Sequence, residues 1–193
     1  MSAMRGARTL TGAAVPIAVA AVAALAAGCG SSQTKSQTAT SAASSHAVPA
    51  TMACRGSQLS ATYARTDGAT GHMELTIALH NVSRVPCRLR GYPRAALLDA
   101  AGHRLPLHVS QGSGFFPDTQ AAPRPVVLAP GALAHFGIGF VTNNEYAHAH
   151  VCRTAAAAMA AAPGVPQWQR VSLRRAPRIA PCGSTLTVSP VHV

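Results

Sequence analysis

Two stretches of the chain alternate strictly between apolar residues and polar or small ones. Met73, Leu75, Ile77 and Leu79 are interleaved with Glu74, Thr76, Ala78 and His80. Ala134, Phe136, Ile138 and Phe140 are interleaved with His135, Gly137 and Gly139. Period two sends every second side chain to one face of an extended backbone, so each stretch predicts a strand with one buried face. Shorter apolar segments follow the same rule: Ala95 to Leu98, His103 to Val109, Val126 to Leu128, the region of Val171 and Leu173, and Leu186 with Val188 and Val191. Asn81-Val82-Ser83, formally a glycosylation sequon, turns the chain, as does Asp99-Ala100-Ala101-Gly102. Ala129-Pro130-Gly131-Ala132 suits a type II turn, with Pro second and Gly third. Short strands with turns between them predict an all-β chain, an immunoglobulin-like antiparallel β-sandwich whose closing strand pairs with a central one. Thr154 to Ala162 resists this pattern. It is nearly all alanine, the best helix former, and Pro163-Gly164 follows it, so an edge strand and a short helix both fit.

The N-terminus predicts export. Arg5 and Arg8 precede an apolar run from Leu10 to Ala27, which closes as Leu25-Ala26-Ala27-Gly28-Cys29. A basic start, an apolar segment and small residues before a cut site make an export signal. The Leu-Ala-Ala-Gly-Cys ending resembles the bacterial lipobox, which implies cleavage before Cys29 and a diacylglyceryl thioether on its sulfur. The expected product is a palmitate-bearing lipoprotein anchored on the extracytoplasmic face of the cell membrane. A transmembrane anchor is the competing reading. The run is only about 18 residues long, at the lower limit for a span, holds Gly12 and Pro16, and is followed by no basic stop-transfer cluster. The expected organisation is a signal peptide over 1–28, the lipidated Cys29 with a linker over 29–50, and a β-sandwich domain over 51–193. Serine, threonine, glutamine and alanine dominate the linker, which lacks the bulk to offset the entropy of ordering and is expected to be a disordered tether.

Four cysteines follow Cys29: Cys54, Cys87, Cys152 and Cys182. An even number in an exported chain predicts two disulfides. Pairing Cys54 with Cys87 and Cys152 with Cys182 closes two loops of about 30 residues, each stabilising by roughly 3 to 4 kcal/mol through the unfolded state. The interleaved pairing of Cys54 with Cys182 and Cys87 with Cys152 is its rival. No Cys-x-x-Cys or zinc-finger spacing occurs.

The full chain carries a net charge of +11, and losing Arg5 and Arg8 with the signal leaves +9. Nucleic acid is not the expected partner of an exported protein; anionic headgroups and acidic wall polymers are. Arg84, Arg88, Arg90 and Arg94 cluster around Gly91-Tyr92-Pro93, and Arg170, Arg174, Arg175 and Arg178 form a second group. Guanidinium forks bind phosphate and carboxylate bidentately, although a solvated face of an arginine-rich chain has the same composition. Phe115-Phe116-Pro117 places two adjacent aromatics in a Gly/Ser/Pro loop, either exposed as a contact or folded over the core.

No Gly-x-Ser-x-Gly elbow is present, and the five carboxylates are scattered, with Asp67, Asp99 and Asp118 in turn-like contexts. No enzymatic activity, cofactor or metal is expected. Among nine histidines, His148 and His150 near Glu145 offer the start of a metal site without a third ligand, while His103, His108 and His135 are expected on exposed strand faces.

Asn81-Val82-Ser83, Pro86-Cys87-Arg88-Leu89-Arg90-Gly91-Tyr92-Pro93, Ala96-Leu97-Leu98-Asp99 with Gly102, and Leu128-Ala129-Pro130-Gly131 before a strand with Phe136 resemble the actinobacterial envelope family known as domain of unknown function 4232. The resemblance runs from about Cys54 to the C-terminus and departs at the alanine tract. It implies a secreted or lipid-anchored β-sandwich and brings no catalytic residues. The function expected is that of a non-catalytic binding module joined to the membrane through Cys29. Its partner would be anionic lipid, wall polymer or an envelope protein, and its contacts Arg88, Arg90, Arg94, Tyr92, Phe115 and Phe116. A structural envelope component without a ligand, or a small-ligand or metal-binding lipoprotein, are the alternatives.

Overall fold

In a computed structural model of the chain, residues 51–143 and 151–193 are described. The expected signal peptide, Cys29 and the linker lie outside the described residues, as do Glu145, His148 and His150.

Ten strands follow one another in sequence: β1 (Leu59–Ala69), β2 (His72–Asn81), β3 (Cys87–Leu89), β4 (Arg94–Leu98), β5 (His108–Gln111), β6 (Val126–Leu128), β7 (Leu133–Val141), β8 (Ala157–Ala161), β9 (Gln169–Ser172) and β10 (Cys182–Val188). They form a five-stranded sheet in the order β1-β2-β7-β10-β5, a three-stranded sheet β4-β8-β9 and the pair β3-β6. Pairing is antiparallel throughout except between β10 and β5. The result is an all-β sandwich of immunoglobulin-like kind. Leu75, Ile77 and Leu79 of β2, Phe136, Ile138 and Phe140 of β7, and Leu186 and Val188 of β10 share one core with Leu89, Leu97, Leu128, Ala158 and Val171. Both alternating stretches are therefore strands in the expected phase, and β10 pairs with the central β7 as expected of the closing strand. Among the described residues no helix is long and apolar enough to cross a membrane.

The alanine tract is neither a helix nor an edge. It forms β8, the middle strand of its sheet, with β4 on one side and β9 on the other. Ala158 and Ala160 enter the core, and Ala157 and Ala161 are buried as well. Methyl groups on both faces let this strand be covered on both sides. A lone alanine helix would bury little and would leave β4 and β9 without their shared partner.

His103 to Val109 is a strand only from His108 onwards. Pro106 supplies no N–H for a ladder, and before it Arg104 makes a single bridge to Leu98. β1 has no counterpart among the expected strands. Its register against β2 shifts between Tyr63 and Arg65, a bulge that breaks the period-two signal. Beyond β1, the side chain of Gln169 links this edge to β9. Its Oε1 accepts the Ala61 N–H at 2.8 Å and its Nε2 donates to the Leu59 carbonyl at 2.9 Å.

Both disulfides, Cys54–Cys87 and Cys152–Cys182, are formed in the sequential pairing rather than the interleaved one. The first fastens the segment before β1 to β3, and the second ties Cys152 to the start of β10. Asn81 anchors the turn expected at 81–83. Fully buried, it donates from Nδ2 to the carbonyls of Val85, Leu128 and Ala129 and accepts from Ser83. At the other turn Gly131 takes a φ of 78°, and the Ala132 N–H reaches the Ala129 carbonyl at 3.0 Å, as a type II turn requires.

Candidate functional site

The arginines around Tyr92 do not act alike. Arg88 is exposed on β3 and Arg90 is exposed just after it. Arg94 opens β4, and its Nη2 donates to the carbonyls of Val165 and Pro166 at 3.0 and 2.8 Å. Its guanidinium also lies 4.7 Å from the centre of the Trp168 ring, which carries a second guanidinium, that of Arg104, at 4.8 Å. Arg94 is thus committed to holding the loop after β8, and Arg84, Arg88 and Arg90 remain as the open charges. Half-buried Tyr92 lines an open cleft of about 600 Å³ with Arg94, Val165 and Pro166. The stack on Trp168 could not be read from spacing, because its three members come from separate segments.

Phe115 and Phe116 lie apart from these arginines. Their loop folds onto the outer face of the five-stranded sheet, and both residues are half-buried. The Phe115 N–H donates to Glu74 Oε2 at 2.8 Å, and the Thr119 hydroxyl donates to the same oxygen at 3.1 Å. The Phe115 ring meets His72 at 4.8 Å between centroids. Glu74, on the strand face expected to be solvated, is 1 % exposed beneath this loop. Gly137 and Gly139 make the burial possible, since a Cβ at either position would run into Glu74 or Phe115. The loop is fastened again at Asp118, which accepts from Arg65 Nη2 at 2.7 Å, while Asp67 accepts from Arg65 Nε at 2.8 Å. The hydrogen bond to Asp67, more than any other contact, raises the Arg65 pKa above its ordinary value. Asp67 lies within β1 rather than in a turn; Asp99 opens the turn at 99–102, as expected, and Asp118 sits in a short 3-10 helix, Pro117–Thr119.

Beside this face the backbones of His135 and His192 bridge, with their rings 6.2 Å apart. Burial first, then repulsion from His192 and Arg65, lowers the His135 pKa. His135 is half-buried rather than exposed, whereas His103 and His108 are exposed. The Asp99 carboxyl is held below its ordinary pKa chiefly by the N–H of His103. Among the described residues no three His, Cys, Asp or Glu side chains gather as metal ligands.

The second arginine cluster is brought together in part. Arg170, Arg174 and Arg175 line a groove of about 440 Å³ with Thr62, Tyr63 and Ser172. Arg178 points elsewhere, its Nη2 lying 3.5 Å from Thr154 Oγ1. The sequence offered the arginines, but the opposite wall belongs to β1, which it did not offer.

The family described as Domain of unknown function (DUF4232) matches residues 54–192 of the chain. Neither the curated proteins nor the solved structures yield a match.

The chain belongs to this family.

Proposed function

We propose that this member of the family is a cell-envelope lipoprotein, lipidated on Cys29 and held on the outer side of the cytoplasmic membrane, and that its sandwich is a non-catalytic module binding anionic partners. One observation carries the binding half of this reading. Among the described residues, Arg65 is the one arginine paired with a carboxylate. The other described arginines, Arg88 and Arg90 included, present charge that no described carboxylate offsets. Anionic headgroups or wall polymers brought within a Debye length, about 8 Å at physiological salt, would be attracted to it.

The anchor and the module are tested separately. Cys29→Ala is expected to move the protein from the membrane fraction to the uncleaved precursor or the medium, and Triton partitioning equal to the parent would reject lipidation. Binding to anionic vesicles and wall fragments is expected to weaken as salt rises and to fall when Arg88 and Arg90 become alanine. Equal binding to neutral and anionic vesicles, insensitive to salt, would favour a structural envelope component instead.

A further inference from the structure

The groove between β1 and the β9 turn has a construction that an ordinary solvated arginine face lacks. Arg174 and Arg175 are the central residues of a hydrogen-bonded turn, in which the Ala176 N–H reaches the Leu173 carbonyl at 3.0 Å. The turn is rooted by Leu173 and Val171, both buried against the core. Arg170 lies on β9, four residues before Arg174, and Ser172 and Thr62 add hydroxyls to the lining. Tyr63 forms part of the opposite wall at the bulge of β1, its hydroxyl 3.1 Å from Thr66 Oγ1. No described carboxylate pairs with any of the three arginines. A volume of about 440 Å³ falls in the range of small-ligand sites and exceeds what a single inorganic anion fills.

We propose that this groove binds the phosphate group of a phosphorylated polyol or sugar. Three guanidiniums supply forked donors that match the oxygens of a phosphate monoester. The hydroxyls of Thr62 and Ser172 match those of the polyol, and Tyr63 gives the carbon skeleton an apolar neighbour. Anchoring the arginines on a closed turn lowers the entropy lost on binding. The proposal deepens the reading of the domain as a binding module, and rests on it.

Calorimetric titration of the intact chain in neutral detergent, with glycerol 3-phosphate, inorganic phosphate and glycerol as probes, tests it. Glycerol 3-phosphate is expected to bind more tightly than inorganic phosphate, and glycerol not at all. Replacing Arg174 and Arg175 by alanine is expected to weaken glycerol 3-phosphate by about tenfold or more, the usual consequence of losing charged hydrogen bonds. The double change to lysine keeps the charge but loses the forks, and is expected to weaken binding by a smaller factor. Arg124→Ala with Arg153→Ala removes the same charge at two exposed positions outside the groove lining and is expected to leave it within about twofold, since such a charge acts only through a screened field. Equal losses in the two alanine pairs would overturn the groove in favour of diffuse charge. Salt-sensitive binding to phosphatidylglycerol vesicles without any glycerol 3-phosphate binding would also overturn the groove while sparing the broader reading. Binding to neither of these nor to wall fragments would reject both.

Discussion

The ring of Phe115 occupies the space that a side chain on Gly139 would need. A Cβ built on Gly139 would stand 2.5 Å from Phe115 Cε2 and 2.6 Å from Cδ2. Gly139→Ala is therefore expected to push Phe115 off the sheet and to cost about 1 to 3 kcal/mol, as overpacking commonly does. Urea unfolding measures the loss, and limited proteolysis should find new cleavage within residues 112–124.

Glu74 holds the same loop by hydrogen bonds. Glu74→Ala removes the acceptor of the Phe115 N–H, and an unsatisfied buried donor costs about 1 to 3 kcal/mol. Glu74→Gln keeps an oxygen in place and is expected to recover part of the loss. Amide exchange at Phe115 distinguishes the two: fast in the alanine variant, slower in the glutamine variant.

His135 makes stability depend on pH. Its folded-state pKa lies below the ordinary imidazole value of 6.5 because burial, His192 and Arg65 all oppose its charge. In the window just below 6.5 the unfolded chain takes up the proton more readily than the folded one, so stability is full above this window and falls as pH drops through it. Thermal unfolding between pH 8 and pH 5, at about those limits for an imidazole, should show this decline. His135→Gln should flatten it.

The disulfides are expected to survive peptide mapping as Cys54–Cys87 and Cys152–Cys182. Replacing Cys54 and Cys87 together by alanine should cost about 2 to 5 kcal/mol by urea unfolding. A peptide joining Cys87 to Cys152 would contradict the structure.

The strands that the sequence makes legible are those whose neighbours leave the period-two pattern intact. Leu75, Ile77 and Leu79, or Phe136, Ile138 and Phe140, needed only their own spacing to be placed in the core. Their outer faces were not legible in the same way, because Glu74 becomes buried only when residues forty positions away fold over it. The glycines at 137 and 139 kept the alternation without stating that they make room for a carboxylate and a ring. β1 is not legible in the spacing because its bulge changes the phase of alternation midway. The candidate contacts divide on similar lines. Arg88 and Arg90 were exposed as a charged run suggests, but the commitment of Arg94 to Val165, Pro166 and Trp168 depends on chain more than seventy residues distant. Tyr63 joins Arg174 and Arg175 only through the meeting of two sheets.

The amide of Gln169 has a consequence for how copies of this chain behave beside one another. An outermost strand with free N–H and carbonyl groups is a template on which a neighbouring molecule can add its own strand, the first step toward aggregation. By pairing with Leu59 and Ala61, Gln169 denies that template at the start of β1. Farther along, the bulge and the charges of Arg65 and Asp67 make the rest of the same edge a poor guide for another strand. One glutamine thereby helps keep crowded copies of the chain separate.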